Sequence, residues 1–236
     1  IAERIDANLF DVRIDQLDSL SKENFNSKIK KVSDKVKGQL IIKEYPTAGA
    51  HVGHFRALLT ELKMKKQFEP DVIFIDYLNI CASSRIKGLS GGVNTYSLIK
   101  SIAEEVRGLA VEFNVPIWSA TQVTRSGFNN SDVDLTDTSE SFGLPATADL
   151  MIALISNEQL EGMNQIMVKQ LKNRYNDPSN NKRFVVGVDK SKMRLYDVAD
   201  PTQDIIDDSK ISGAKIGNSD SMHSIGKNAD FSGFKV

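Results

Sequence analysis

One cysteine in 236 residues, Cys81, excludes a disulfide framework and a cysteine-rich zinc site. Excess charge is missing too: 30 Lys and Arg face 31 Asp and Glu, a formal net charge of −1. That balance excludes a chain coated with basic residues for nucleic acid, but not a local basic surface. No apolar run nears the roughly 18 residues of a membrane span, so no membrane association is expected. The opening IAERIDANLF has no signal-peptide pattern. It also has no methionine, and the chain is expected to be a piece of a longer polypeptide. The pattern G-x-x-x-x-G-K-[ST], whose backbone N–H groups cradle phosphates, occurs nowhere; Gly226-Lys227-Asn228 comes nearest and lacks the upstream glycine. What is present is an ordinary globular mixture, 40% hydrophobic and 26% charged, suited to a reducing, cytoplasmic setting. The length accommodates one large domain, or one domain and a tail.

Hydrophobic spacing divides the chain. Ile1, Ile5, Leu9, Val12 and Leu17 predict a helix over 1–20. A second helix is expected from the N-cap candidate Ser21 to the stop signal Gly38. LIIKEYP (40–46) has the look of a strand, and residues 51–68 return to helix with Phe55, Leu58, Leu59 and Leu62 on one face. DVIFIDYLNI (71–80) is short and nearly continuous in apolar residues, which predicts a strand buried on both faces. After the Gly/Ser-rich loop 83–94, Leu98, Ile102, Val106, Leu109 and Phe113 mark a helix over 95–113, ended by Asn114 and Pro116. VPIWSATQV (115–123), ATADLMIALIS (146–156) and NQIMVKQLKNRY (164–175) are expected strands, and 182–198 alternates like a terminal β-hairpin. Strand–helix–strand alternation implies an α/β fold with a mainly parallel sheet flanked by helices. Residues 1–198 form the expected domain, and 199–236, rich in Asp, Ser, Gly, Asn and Lys, the expected flexible tail.

Three segments carry chemistry. Asp76 closes the buried run VIFIDYLNI; at the carboxyl edge of a nucleotide-binding sheet it would hold a magnesium ion, and otherwise it caps the following turn. Gln122 emerges from the next strand, where a glutamine can orient water or hydrogen-bond a terminal phosphate, or simply face solvent. Lys172 and Arg174 in LKNRY point the same way on a strand. Two cations on one face suit an anion such as a phosphate, unless the strand is merely a solvated edge. Trp118 and Cys81 read as core residues, and His51 and His54, lacking a third partner, do not make a metal site.

Taken in order, DVIFIDYLNICAS, IAEEVRGLAVEFNVPIWSATQV, SESFGLPATADLMIAL and KQLKNRY resemble the RecA-like motor domain of DnaB-type hexameric replicative DNA helicases, above all those of T-even-type bacteriophages. The resemblance covers roughly residues 1–198. It implies ATP and Mg²⁺ as cofactors. Asp76 would be the Walker B carboxylate on Mg²⁺, Gln122 the γ-phosphate sensor, and Arg174 a finger reaching the neighbouring subunit's ATP with Lys172 beside it. It also implies a homo-oligomer, a hexameric ring, gripping single-stranded DNA through the loops 83–94 and 124–145. Candidate DNA contacts there are Arg85, Lys87, Arg125 and Glu140. A primase, loader or polymerase partner is expected through the tail, where Phe231 and Phe234 stand out.

The sequence departs from the family pattern in two places. The absent P-loop and the general base near it leave this stretch alone without expected ATP hydrolysis. The loop 124–145 is acidic, with Asp132, Asp134, Asp137 and Glu140 against Arg125, and Ser139 stands where relatives often carry arginine. A RecA-like recombinase-type ATPase and a non-catalytic DNA-binding or assembly module are the competing expectations.

Overall fold

The computed structural model describes residues 1–86, 95–123, 134–135, 143–177 and 182–198. Lys87, Arg125 and Glu140, most of the two expected DNA loops and the expected tail 199–236 lie outside these residues.

Helix α1 spans Ala2–Phe10 and stops at Asp11, whose φ of 52° is left-handed; the helix expected over 1–20 is therefore half as long, with a single 3₁₀ turn at Ile14–Gln16. Helix α2, Lys22–Lys35, starts as expected at Ser21, whose hydroxyl accepts the Asn24 N–H at 3.3 Å. The strand expected over 40–46 has no sheet partner among the described residues: Leu40 and Ile42 are exposed, and the apolar run alone does not create a ladder. Helix α3, Val52–Lys66, is capped by two histidines. His51 Nδ1 accepts the Gly53 N–H at 3.0 Å, and His54 Nδ1 accepts the His51 N–H at 3.2 Å. A Cβ on Gly53 would fall 2.6 Å from His51 Cε1, so the glycine lets the imidazole fold over the helix end.

Helix α4, Thr95–Phe113, matches its expected bounds and is the centre of the main core. Ile99, Ile102, Val106 and Leu109 lie on one stripe and pack against Val52 and Leu59 of α3, Leu78 and Leu144. Ile102 and Leu109 are each 1% exposed, a burial worth about 1.5–3 kcal/mol per side chain. Asn114 takes φ 51° and ends the helix before Pro116.

Strands β1, Ile73–Ile75, and β2, Ile117–Ser119, pair in parallel, Ile73 opposite Ile117 and Ile75 opposite Ser119. Ile73, Ile75 and Ile117 face the α4 core. Their alternate residues Phe74 and Trp118, paired in register, are 73% and 44% exposed. This corrects two expectations: β1 buries one face and not two, and Trp118 is not a core residue. Both strands are also shorter than expected, and β1 is followed by a 3₁₀ turn at Leu78–Ile80, directly after Tyr77.

The remaining strands, β3 (Leu150–Ile155), β4 (Gln165–Asn173), β5 (Arg183–Asp189) and β6 (Arg194–Asp197), form an antiparallel sheet in that order. The expected hairpin is β5–β6. Two short helices flank β3: α5, Gly143–Thr147, precedes it and α6, Glu158–Gly162, follows. The strand expected from 146 thus begins only at Leu150. In the β3–β4 ladder Met151 opposes Lys172 but Ile152 opposes Gln170, so β4 carries one extra residue, Leu171. Such a bulge re-aims the strand beyond it, here the stretch from Lys172 to Arg174. Among the described residues no helix is long and apolar enough to cross a membrane.

Candidate functional site

Asp76 and Gln122 lie at the carboxyl ends of adjacent parallel strands, on the same edge of the β1–β2 pair, and both are exposed. Three hydrogen bonds stitch that edge together. Ser119 Oγ donates to the Ile75 carbonyl at 2.8 Å, the Leu78 N–H donates to the Ala120 carbonyl at 3.0 Å, and Thr121 Oγ1 pairs with Asn79 Oδ1 at 2.8 Å. These bonds brace the turn on which the Asp76 carboxylate stands, open to solvent. A hard cation that takes oxygen ligands and keeps several waters fits such a group. Cys81, just beyond, is half-buried against the α4 core; burial pushes its thiol pKa up, so it is no reactive thiolate.

The second candidate pair is drawn together elsewhere. Past the β4 bulge, Lys172 Nζ donates to the Pro145 carbonyl at 2.5 Å. Arg174 donates through Nη2 to the Ala146 carbonyl at 3.2 Å and through Nη1 to Asp149 Oδ1 at 2.8 Å. Its backbone N–H donates to the Asp149 carbonyl at 2.9 Å. Arg107, from α4, donates Nη1 to the same Asp149 Oδ1 at 2.8 Å and to the Thr147 carbonyl. Three cations therefore meet one carboxylate and the carbonyl end of α5, where the helix dipole is negative. Burial pushes the Asp149 carboxyl up, but the hydrogen bond and charge of Arg107 and the charge of Arg174 outweigh it and hold the group below its ordinary value. Lys172 is held below the ordinary lysine value by burial and by the charge of Arg174. The Asp149 shift is that of a carboxylate among cations, whereas the Lys172 shift is first that of burial and only then of neighbouring positive charge.

Neither Asp149 nor Arg107 was singled out from the sequence. Asp149 lies in the quoted segment ATADL, and its short-spaced neighbours Ala148 and Leu150 hid it as a strand-entry residue. Arg107 lies on the polar side of a strongly amphipathic helix, where an arginine is ordinary until the fold brings it to residue 149.

The candidate DNA contact Arg85 is exposed and paired with Glu104 at 2.8 Å. Below it lies a carboxylate that the sequence did not reveal. Glu105, only 7% exposed, accepts from Ser83 Oγ at 2.5 Å, Ser84 Oγ at 2.6 Å, the Ser84 N–H at 2.9 Å and the Arg85 N–H at 3.4 Å. Burial raises its pKa, yet these donors together bring it below the ordinary value. Glu105 so fixes the segment 83–85 against α4.

The family model of the DnaB-like helicase C terminal domain matches residues 1–190. A DnaB-like replicative helicase of Enterobacteria phage T4 is 44% identical over 200 residues, which is 84% of this chain and 42% of the relative. The chain thus spans about two fifths of that relative's length. Among solved structures, an isolated ATPase domain superposes with a TM-score of 0.65 at 16% identity, over 84% of this chain and 69% of the other. A DnaB-like replicative helicase described with its primase interactions superposes with a TM-score of 0.63 at 17% identity, over 84% of this chain and 48% of the other. At those identities the likeness carries the fold, and the RecA-like α/β architecture expected from the sequence is borne out. The match over residues 1–190 decides the family: the chain belongs to the DnaB-like helicase C-terminal domains.

Proposed function

We propose that this chain works as the C-terminal motor part of an ATP-driven replicative DNA helicase, which unwinds duplex DNA by translocating on a single strand. The observation that carries the reading is the separation of the candidate residues into two groups. Asp76 and Gln122 share one strand edge, whereas Lys172 and Arg174 gather at Asp149. A ring motor needs that division, because one subunit binds the nucleotide and its neighbour supplies the cation.

When bound, ATP with Mg²⁺ supplies the phosphoryl-transfer chemistry. Asp76 would hold the metal through its open carboxylate, directly or through water. Gln122 would offer its amide to the terminal phosphate. Arg174 would stabilise charge on the neighbouring subunit's nucleotide, with Lys172 beside it. The phosphate-cradling pattern G-x-x-x-x-G-K-[ST] does not occur in these 236 residues, and turnover would need a P-loop and a general base in the full-length helicase. Assembly into a homo-oligomeric ring, a hexamer by analogy with the family, follows from that arrangement. Single-stranded DNA would pass Arg85, Lys87, Arg125 and Glu140, and a primase, loader or polymerase would dock on the tail. The membership in the DnaB-like family favours this over a recombinase-type ATPase or a non-catalytic module.

The test mixes subunits of the full-length helicase. Rings that combine Arg174→Ala with Asp76→Asn subunits should hydrolyse ATP in proportion to the interfaces joining an intact Arg174 to an intact Asp76. Nucleotide affinity should survive Arg174→Ala; its loss in step with turnover would place Arg174 in its own subunit's site and overturn the division.

A further inference from the structure

Resting on the reading of Arg174 as the residue that reaches a neighbouring nucleotide, we propose that Asp149 is its positioning residue, and that Arg107 sets how much of Asp149 remains for it.

The geometry singles out one oxygen. Asp149 Oδ1 accepts from Arg107 Nη1 and from Arg174 Nη1, each at 2.8 Å. A carboxylate can grip one guanidinium with both oxygens, side by side. Here it grips two guanidinium groups through the same oxygen, so each is held by a single carboxylate contact. The rest of each hold comes from carbonyls of α5: Ala146 for Arg174 and Thr147 for Arg107. Arg174 is further tied through its backbone N–H to the Asp149 carbonyl at 2.9 Å, which fixes where its side chain begins. Side-chain exposures of 44% for Arg174, 39% for Arg107 and 31% for Asp149 put the cluster at the surface with one side open.

This is a hold suited to orienting a cation and not to neutralising it. Arg107 and Arg174 bond one carboxylate while Lys172, beside them, bonds the Pro145 carbonyl, so positive charge is left over for an outside anion. Asp149 restricts the rotamers of Arg174 before any partner arrives. Such pre-ordering lowers the entropy cost of meeting a phosphate. Removing Arg107 would leave Oδ1 of Asp149 to Arg174 alone, a tighter and less available grip. Removing Asp149 would leave Arg174 charged, free and scattered among rotamers. The two changes thus act in opposite directions on the order of Arg174.

Two measurements test this. The first is made on the 236-residue chain itself, without nucleotide, by following arginine side-chain Nε–Hε and Nη signals by NMR. In Asp149→Asn, the Arg107 and Arg174 signals should both move and their guanidinium rotation quicken, while Arg56, bidentate on Glu112 at the end of α4 and bonded to none of the cluster, stays put as a marker of intact structure. In Arg107→Gln, Arg174 rotation should instead slow. Asp149→Glu should keep both signals ordered. An Arg174 signal indifferent to Asp149→Asn, or quickened by Arg107→Gln, overturns the proposal. If Asp149→Asn also disturbs Arg56, the Arg107→Gln response decides by itself.

The second is a double-mutant cycle on ATP turnover in the full-length helicase. Asp149→Asn should lower kcat about ten- to a hundredfold, the cost of misplacing a group that acts in the transition state, with KM for ATP changed less than about threefold. In an Arg174→Ala background the same change should alter kcat less than about twofold, because Asp149 then has nothing to position. An undiminished effect in that background makes Asp149 a general structural residue and ends the proposal. If Arg174→Ala leaves kcat intact, the proposed role of Arg174 fails. The NMR coupling of Asp149 to its two arginines would then stand as a separate fact.

Discussion

Glu105 and Asp149 are two carboxylates held below their ordinary pKa values by opposite means. Glu105 is buried and receives two serine hydroxyls and two backbone N–H groups, with no cation bonded to it among the described residues. Its acceptor capacity is filled by neutral donors that belong to one short segment. Asp149 is partly open and receives two guanidinium groups on one oxygen, while its other oxygen accepts neither. A filled carboxylate is an anchor: it fixes residues 83–85 on α4 at the root of a loop expected to meet DNA. An oversubscribed carboxylate beside spare cations is a holder, and what it holds remains available to a partner. The contrast separates stability from function within one domain.

The sharpest way to break that comparison is to remove the arginine that Asp149 holds and, separately, the anchor Glu105 itself. Arg174→Ala in the full-length helicase should cost about 10³–10⁵ in kcat, the range for residues that complete a neighbour's active site. The melting temperature of the ring should hardly change; a large drop would make the Asp149 cluster an anchor like Glu105. Glu105→Ala should do the reverse. Losing hydrogen bonds to a buried charge and orphaning their donors should cost about 3 kcal/mol of unfolding free energy, read by denaturant titration of the 236-residue chain. A loss below about 1 kcal/mol would show that the segment 83–85 finds other partners.

A smaller effect appears in acid. Both groups have folded-state pKa values below their unfolded ones, so the unfolded state binds protons first as the pH falls. Their stabilising contributions are complete above the unfolded values. For Glu105 the loss sets in as the pH drops through the ordinary value of 4.5 and continues through the lower folded one. For Asp149 the corresponding ordinary value is 3.8. Glu105→Gln should therefore flatten the first part of the acid limb of melting temperature against pH and leave the part below it. An unchanged limb would mean that other carboxylates dominate acid unfolding. The smallest effect is expected where neither device operates. Arg13 and Asp15 form a 3.0 Å pair with both side chains more than half exposed. Arg13→Ala should leave the melting midpoint within about a degree, since exposed pairs are screened and their attraction is offset by the cost of ordering two side chains.

Much of this molecule is legible from spacing. The bounds of α4, the capped start of α2, the hairpin at the end of the domain and the strand-end positions of Asp76 and Gln122 all follow from patterns that repeat within a few residues. Those patterns report local periodicity and local capping, which the backbone enforces wherever the segment lies. The misreadings have a common cause. LIIKEYP has strand chemistry but meets no partner strand, Phe74 and Trp118 belong to apolar runs but fall on the uncovered face, and the bulge at Leu171 is invisible in KQLKNRY.

The sequence by itself determined the family, through a match that runs over residues 1–190, and most of the helix–strand order and the residue types at the strand ends, because these rest on neighbours within about one turn or one pleat. Only the tertiary structure decided that Arg107 and Arg174 would meet at Asp149, 42 and 25 residues away along the chain. It also decided that Glu105 would be buried under Ser83 and Ser84. Which carboxylate meets which donor over such separations depends on where helix α4, the short helix α5 and the bulged end of β4 come to lie against one another, and no local repeat in the sequence encodes that crossing.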